Sequence, residues 1–310
     1  MERRVIVIVG PTASGKTALA IAVAKKLDTE IISADSRQFY KMLDIGTAKP
    51  TEEELASAVH HFIDTHDIAD AYNVSKFEED ALAVIRALHE KEKIPVVVGG
   101  SGLYVRAVVD GIMNAVSTDE EYREKLKRLR EEKGNEYLHG MLSKVDPITA
   151  AKMLPQNWKR VMRALEVFHL TGKSISELQK EYERKDDFVF YQFGLRRERA
   201  ELYARIERRV DEMFDKGLID EAKRILAAGY DRNLNALNTV GYKEVFDYLE
   251  GKITLEKAKE LIKRNTRRFA KRQMTWFGKD ERIKWLDADD RTDYEALAEK
   301  ILETIEKEGR

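Results

Sequence analysis

Short apolar runs alternate with longer amphipathic stretches in the first third of the chain. Residues 5–9 form an unbroken apolar run of strand length, followed by a glycine-containing turn and a helical pattern over residues 17–27. Similar apolar runs return at residues 30–33 and 94–98, with a helical pattern at 75–91 between them. Alternating strands and helices of this kind predict an α/β fold with a doubly wound, mostly parallel sheet.

The pattern changes after Gly111. Residues 119–183 are charged and helical in period, whereas residues 188–193 alternate like a strand that could return to the core sheet. Two more helices are predicted at 255–277 and 294–307. We therefore predict a core domain formed by residues 1–111 and 196–310, and a helical insertion domain formed by residues 112–195.

Composition limits the classes of function. The 310 residues are enough for two compact units, and 55 Lys and Arg against 56 Asp and Glu give a net charge of −1. Only a local basic patch could therefore indicate a polyanionic partner. The absence of cysteine excludes disulfides, a thiolate nucleophile and a zinc ribbon. No apolar run is long enough for a membrane span and no secretory signal follows Met1, so we expect a cytoplasmic protein.

The turn after the first predicted strand has the pattern G-x-x-x-x-G-K-T, which is typical of a phosphate-binding loop between a strand and a helix. Backbone N–H groups from Thr12 to Thr17 and the helix N-terminus can bind phosphate, Lys16 adds a positive charge, and Thr17 offers a hydroxyl to Mg²⁺. The predicted diphosphate-binding residues of this loop are Gly10, Pro11, Thr12, Ala13, Ser14, Gly15, Lys16 and Thr17.

The residues that follow the predicted strands at 30–33 and 94–98 limit the kinds of reaction that the site could catalyse. The strand at 94–98 runs into Gly99 and Gly100 and not into an acidic Mg²⁺ ligand, which disfavours a motor or switch ATPase. Asp35 follows the strand at 30–33, where a general base for a transfer reaction is expected, although an aspartate here can also cap a helix. We predict a transferase with Asp35 as its base.

The phosphate loop followed by residues 35–38, Asp-Ser-Arg-Gln, resembles the tRNA dimethylallyltransferase (tRNA isopentenyltransferase) family. The resemblance includes the phosphate loop and residues 45–50, 60–64, 98–104, 163–167, 241–244 and 266–273, so that it covers nearly the whole chain. Two positions depart from the family pattern. Ser101 stands where the family usually has Thr and keeps the hydroxyl, and Gln156-Asn157 stands where the family usually has Asn-Asp and loses a charge.

The resemblance implies a P-loop NTPase-like fold and transfer of a dimethylallyl group from its diphosphate to the N6 amine of the adenosine 3′ of the anticodon in tRNA. Mg²⁺ is the implied cofactor, and we expect a monomer without a membrane anchor. The loop would hold the diphosphate leaving group, and whether ATP also binds there stays open. By resemblance, the residues that contact tRNA are Asp35, Ser36, Arg37, Gln38, Ser101, Arg123, Lys159, Arg160, Val161, Met162 and Arg163.

The residues suit this chemistry. The lone pair of the adenine exocyclic nitrogen is delocalised into the ring, so a carboxylate that takes its proton during C–N bond formation assists attack. Asp35 is the predicted base, and Lys16 and Ser101 complete the predicted catalytic set. Arg209, with Arg205 one turn before it, is predicted to reach the diphosphate; the alternative is a surface ion-paired with nearby glutamates.

A basic segment lies at residues 263–272, with six basic and no acidic side chains on one half of the predicted helix. Like charges one turn apart destabilise an isolated helix, a cost that bound RNA could relieve. The alternative is a solvated face neutralised by acidic residues elsewhere. We predict that Arg267 and Lys271 contact the tRNA backbone.

Two weaker signals favour structural roles. Trp158 could stack on a base, but a packing role is favoured. His60, His61 and His66, with Asp64 and Asp67, could suggest a metal site, but their spacing favours hydrogen-bonded imidazoles in a loop.

Three rival functions remain open. A small-molecule kinase would also use the loop and Asp35, but has no need of a basic helix outside the phosphate site. An isopentenyltransferase acting on free adenine nucleotides would not need the insertion. A non-enzymatic RNA-binding module would not need an intact Lys16 and Thr17.

Overall fold

The computed structural model describes residues 2–112, 118–181 and 186–308, and its centre is a parallel sheet. Within these residues the sheet has six strands in the order β3-β2-β4-β1-β5-β6, all parallel, which confirms the predicted sheet. The strands are β1 (Arg3–Val9), β2 (Ile31–Ser33), β3 (His60–His61), β4 (Val96–Gly99), β5 (Phe188–Arg196) and β6 (Lys284–Asp287).

The helices follow the predicted periodicity closely, and the helix predicted at 255–277 has those bounds. Among the described residues, no helix is both long enough and apolar enough to cross a membrane. The helices are α1 (Lys16–Lys26), α2 (Glu52–Ser57), α3 (Val74–Glu90), α4 (Gly102–Asp110), α5 (Glu120–Lys133), α6 (Asn135–Val145), α7 (Pro147–Ala151), α8 (Trp158–Thr171), α9 (Ile175–Glu181), α10 (Arg199–Asp215), α11 (Leu218–Ala227), α12 (Tyr242–Leu249), α13 (Leu255–Phe277) and α14 (Tyr294–Glu308).

Helices cover both faces of the sheet, which explains why its central strands are apolar along their whole length. Successive side chains of a strand point to opposite faces, so Val5 and Val7 pack with α3, α4, α12 and α13, whereas Ile6 and Ile8 pack with α1 and α14. The sheet is therefore doubly wound, as predicted.

The carboxyl ends of β1, β2 and β4 converge at one edge of the sheet. β4 lies between β1 and β2, so the strand that follows β1 in the sequence is not its neighbour in the sheet. A Cβ on Gly99 would lie 2.3 Å from the carbonyl oxygen of Ala34, and one on Gly100 would lie 3.4 Å from that of Gly10. Ligands of doubly wound sheets bind at such an edge.

The chain divides into two compact units, one of Met1–Asp110 with Asp187–Arg310 and one of Gly111–Asp186. The second unit has its own apolar core, to which Leu126, Leu138 and Val161 contribute. Its C-terminal boundary lies earlier than the predicted residue 195, because β5 pairs with β1 along Phe188–Gly194 and so belongs to the first unit. Residues 113–117 and 182–185 of the predicted insertion lie outside the described residues.

Candidate active site at the phosphate loop

Residues 10–15 connect β1 to α1 in a tight loop that depends on two glycines. Gly15 has φ of 100°, and a Cβ there would lie 2.0 Å from the hydroxyl oxygen of Tyr294. At Gly10, a Cβ would lie 2.7 Å from the carbonyl oxygen of Leu195. Lys16 and Thr17 then begin α1, whose first N–H groups have no partner within the helix. The loop and the helix N-terminus together can bind an anion.

Two arginines donate hydrogen bonds to backbone carbonyl oxygens of this loop. Arg197, whose side chain is 1% exposed, donates from Nε to the carbonyl oxygen of Ser14 (2.8 Å) and from Nη2 to the hydroxyl of Tyr294 (3.1 Å). Arg205 donates from Nε to the carbonyl oxygen of Ala13 (3.0 Å) and is also ion-paired with Asp290. Arg197 was not singled out by the sequence, because its partners lie far along the chain.

Gln273 of α13 joins the phosphate loop to the end of β4. Its Oε1 accepts from the N–H of Thr12 (2.8 Å), and its Nε2 donates to the carbonyl oxygen of Gly100 (2.8 Å), while the residue is buried. The Thr12 N–H, predicted to bind phosphate, is therefore bonded to Gln273, and the N–H of Ser14 is bonded to Pro11 (3.3 Å). The sequence carries Gln273 as the last residue of a family motif, without a signal for this contact.

Two cations lie beside the loop at the candidate diphosphate site. Burial lowers the pKa of Lys16 to about 8; Asp35 opposes this shift, and Arg209 adds to it. Burial and then Arg205 lower the pKa of Arg209, although a guanidinium stays protonated. These positive charges would be stabilised by an anion. Arg209 also lines a cavity of about 250 Å³, together with Ala13, Arg205, Arg208 and Glu212.

Asp35 lies at the same edge, and its carboxylate has a structural role as well as the predicted chemical one. Oδ1 accepts from the N–H groups of Arg37 (2.9 Å) and Gln38 (3.4 Å) and so shapes the turn after β2. Ser101 fixes the next residue, because its Oγ accepts from the N–H of Ser36 (3.0 Å) and donates to the Ser36 hydroxyl (3.2 Å). The structure thus brings Asp35, Lys16 and Ser101 to one edge.

The segment from Asp35 to Gln38 is held against the loop at residues 44–48. Nε2 of Gln38 donates to the carbonyl oxygens of Thr47 (3.3 Å) and Ala48 (3.0 Å). The buried carboxylate of Glu221 accepts from the backbone N–H groups of this loop, at Asp44, Ile45 and Gly46. The sequence did not identify Glu221, which has no local motif.

Some basic side chains of α13 are ion-paired with α10, and others are exposed. Lys263 is ion-paired with Asp211 (2.7 Å) and Arg267 with Glu207, both on α10, whereas Lys271 is exposed. The predicted alternative of acidic compensation therefore holds for Lys263 and Arg267. Arg268 and Arg272 are also exposed.

In the second unit, Glu166 organises the predicted RNA-binding arginines. Its carboxylate is fully buried and ion-paired with Arg123 (2.8 Å) and Arg163 (2.6 Å), and these contacts together outweigh burial and lower the pKa of Glu166. Val161 and Met162, which are also predicted to contact tRNA, have their side chains buried in the core of the unit, so these side chains are not exposed to bind RNA.

Trp158 and His61 make local contacts, whereas two of the predicted RNA-binding residues are exposed. Lys159 and Arg160 are exposed at the start of α8. The Arg130 guanidinium lies 4.0 Å from the ring centroid of Trp158, and Nε2 of His61 lies 2.6 Å from the carboxylate of Glu30. Gln156 and Asn157, the positions that depart from the family pattern, are exposed in a short helical turn before α8.

The protein offers few oxygen ligands for a metal ion at the loop. Across residues 2–112, 118–181 and 186–308, no three His, Asp or Glu side chains form a metal-binding group. Thr17 supplies a hydroxyl at the start of α1. These donors fit Mg²⁺ that keeps most of its ligands from phosphate and water.

Comparison with known proteins agrees with this arrangement. The IPP transferase family matches residues 38–280. The tRNA dimethylallyltransferase of Carboxydothermus hydrogenoformans is 48% identical to this chain, and the match covers 97% of each chain. That of Thermotoga maritima is also 48% identical, and the match covers 91% of this chain and 92% of the relative. The full-length tRNA isopentenylpyrophosphate transferase of Bacillus halodurans has a TM-score of 0.73 at 41% identity and covers 99% of this chain and 98% of its own. A eukaryotic dimethylallyltransferase acting on tRNA has a TM-score of 0.80 at 29% identity, over 98% of this chain and 78% of its own. The chain therefore belongs to the tRNA dimethylallyltransferase family.

Proposed function

We propose that the protein transfers a dimethylallyl group from dimethylallyl diphosphate to the N6 amine of the adenosine 3′ of the anticodon in tRNA. The observation that carries the proposal is the convergence of two partly buried cations, Lys16 and Arg209, with Asp35 at one edge of the sheet. Cations suit a diphosphate leaving group, and a carboxylate beside them suits deprotonation of the attacking amine.

In the proposed reaction, the bond between the dimethylallyl C1 atom and the diphosphate oxygen breaks as the bond between C1 and N6 forms. The electron pair of the broken bond leaves with diphosphate, whose charge is stabilised by Lys16, Arg209 and the N–H groups at the start of α1. Asp35 takes the proton from N6. Ser101, through Ser36, keeps the backbone beside Asp35 in place.

Mg²⁺ is the proposed cofactor. Thr17 would supply a hydroxyl ligand, and the ion would add positive charge at the diphosphate. The other ligands would be phosphate oxygens and water.

We propose that tRNA is bound by residues of both units. In the first unit these are the segment from Asp35 to Gln38, Ser101 and the exposed Lys271, with Arg267 if its pair with Glu207 opens. In the second unit these are Arg123, Lys159, Arg160 and Arg163. Lysine and arginine side chains bind phosphates without reading the base sequence, so they would position the RNA. We propose that the protein is cytoplasmic and monomeric. Sedimentation of the purified protein with and without tRNA would measure its oligomeric state.

Labelled dimethylallyl diphosphate incubated in parallel with bulk tRNA, AMP and ATP tests the function. We expect label in tRNA, released on digestion as an N6-modified adenosine, and transfer at least about 10²-fold slower with Asp35→Asn. Label in AMP or ATP alone would identify an enzyme acting on free nucleotides. Transfer of the γ-phosphate of labelled ATP to a small molecule would identify a kinase.

A further inference from the structure

Glu221 is a buried carboxylate that takes no part in the bond changes proposed above. It is 2% exposed and belongs to the first turn of α11. Its two oxygens accept from the N–H groups of Asp44 (3.1 Å), Ile45 (2.8 Å) and Gly46 (3.0 Å), which are consecutive along the chain. Consecutive N–H groups that converge on one point form an anion-binding nest, and here a side chain of the same protein fills it. Glu221 therefore fixes the backbone of the loop at residues 44–48.

The phenol of Tyr242, the first residue of α12, is a further donor to the same carboxylate. Its hydroxyl donates to Oε1 of Glu221 (2.5 Å), and burial followed by the Glu221 charge raises the pKa of Tyr242, so the phenol stays protonated and remains a donor. Its ring also lies against Gly46, where a Cβ would lie 2.5 Å from Cζ of the ring. Glu221 thus meets four donors, which suit a carboxylate with two acceptor oxygens better than an amide with one.

The loop at residues 44–48 in turn holds the segment that carries the candidate base. The carbonyl oxygens of Thr47 and Ala48 accept from Nε2 of Gln38 (3.3 and 3.0 Å). The backbone N–H of Gln38 donates to Oδ1 of Asp35 (3.4 Å). A displacement of the loop is therefore passed to Gln38 and, through its backbone, to the Asp35 carboxylate. A general base must lie within hydrogen-bond reach of the proton that it takes, so such a displacement slows the reaction.

We propose that Glu221 is a positioning residue for prenyl transfer. By holding the loop at residues 44–48, it keeps the Asp35 carboxylate in the orientation needed to take the proton from N6. The inference rests on the proposed function, because it concerns the same base. It adds a side chain of α11 that acts on Asp35 through the loop and Gln38.

A double-mutant cycle of Glu221→Gln and Asp35→Asn tests the proposal, read out as single-turnover transfer from labelled dimethylallyl diphosphate to saturating tRNA. Glu221→Gln keeps the size of the side chain but turns an amide group toward N–H donors, so transfer should slow about 10- to 100-fold. In Asp35→Asn the base is already absent, so adding Glu221→Gln should change the rate less than about twofold. A general loss of folded protein would instead lower both rates by the same factor.

The controls separate positioning from stability. Rates are expressed per binding site for dimethylallyl diphosphate, counted by titration, so that unfolded molecules do not enter, and affinity for this ligand should stay near the parent value. Amide hydrogen exchange across residues 35–48 should be faster in Glu221→Gln. Asp220→Asn makes the same charge change at an exposed position of the same helical turn and should match the parent in rate and exchange. Gln38→Met, which breaks the next contact, should show the same dependence on Asp35 and tests the path even if Glu221→Gln does not fold.

A parent rate in Glu221→Gln, or equal slowing with Asp35 present and replaced, would overturn the proposal. Failure of the proposed function would look different, because the parent protein itself would then transfer no label to tRNA.

Discussion

Replacing Lys16 with Met removes a charge that is proposed to bind the diphosphate and whose burial destabilises the fold. The Lys16 ammonium is partly buried between the phosphate loop and Arg209. Met has a similar length and no charge, so it can fill the same space without the desolvation cost. We expect Lys16→Met to lose affinity for dimethylallyl diphosphate and, in the absence of ligand, to unfold less readily than the parent.

The magnitude follows from the pKa of Lys16. Burial lowers this pKa from 10.5 to about 8, and 10.5 minus 8 is a shift of about 2.5. Such a shift corresponds to about 3 kcal/mol, and partial contact of the side chain with water reduces this to about 2 kcal/mol. Because the folded state lowers the pKa, the cost is fully present below about pH 8 and disappears as the pH rises toward 10.5.

Urea unfolding followed by circular dichroism at pH 7 and pH 10 measures the difference. At pH 7 the free energy of unfolding of Lys16→Met should exceed that of the parent by about 2 kcal/mol, and at pH 10 the two should nearly agree. Lys25→Met, at an exposed position of the same helix, should stay within about 0.5 kcal/mol of the parent at both pH values. A variant no more stable than the parent at pH 7, or a gap that persists at pH 10, would refute the reasoning.

Three further predictions concern the same site. Asp35→Asn should slow single-turnover prenyl transfer at least about 10²-fold, with little change in affinity for dimethylallyl diphosphate, and a rate within a few-fold of the parent would contradict its role as base. Calorimetric titration should show diphosphate affinity falling as the pH rises through about 8, up to about tenfold per pH unit, because the bound anion favours protonated Lys16; Lys16→Met should lack this pH dependence. Gln273→Leu should weaken diphosphate binding and lower stability by about 1–3 kcal/mol, because the N–H of Thr12 and the carbonyl of Gly100 lose their partners, and unchanged values in titration and urea unfolding would argue against this contact.

The sheet and most helices could be predicted because their signals are local. β1 and β4 are buried apolar runs, and α13 has a period that continues for 23 residues. β3 and β6 could not be predicted, since a two-residue His-His edge strand and the short Lys284–Asp287 segment have no apolar run. The boundary of the insertion was placed too late for a different reason, because only pairing with β1 shows that β5 belongs to the core.

The site shows the same division between local and distant information. The loop at residues 10–17 is one continuous motif, so the sequence predicts its position between β1 and α1; its binding of phosphate stays a prediction. By contrast, Arg197 lies 183 residues from Ser14 and Gln273 lies 261 residues from Thr12, and no local pattern connects such pairs. Helical period also shows that the basic side chains of α13 share a face, but only the packing of α10 shows that Glu207 neutralises Arg267.

The position of Gln273 gives α13 a role beyond that of a basic surface. Gln273 lies between Arg272 and Trp276 in sequence, and the period of the helix turns its side chain toward the phosphate loop while the other two stay exposed. The helix therefore fixes the distance between the loop proposed to hold the diphosphate and Lys271, which is proposed to contact the RNA. A one-residue insertion between Lys271 and Gln273 would rotate one side chain relative to the other by about 100° about the helix axis and so separate the two contacts. The proposed donor and acceptor sites consequently depend on the same turn of one helix.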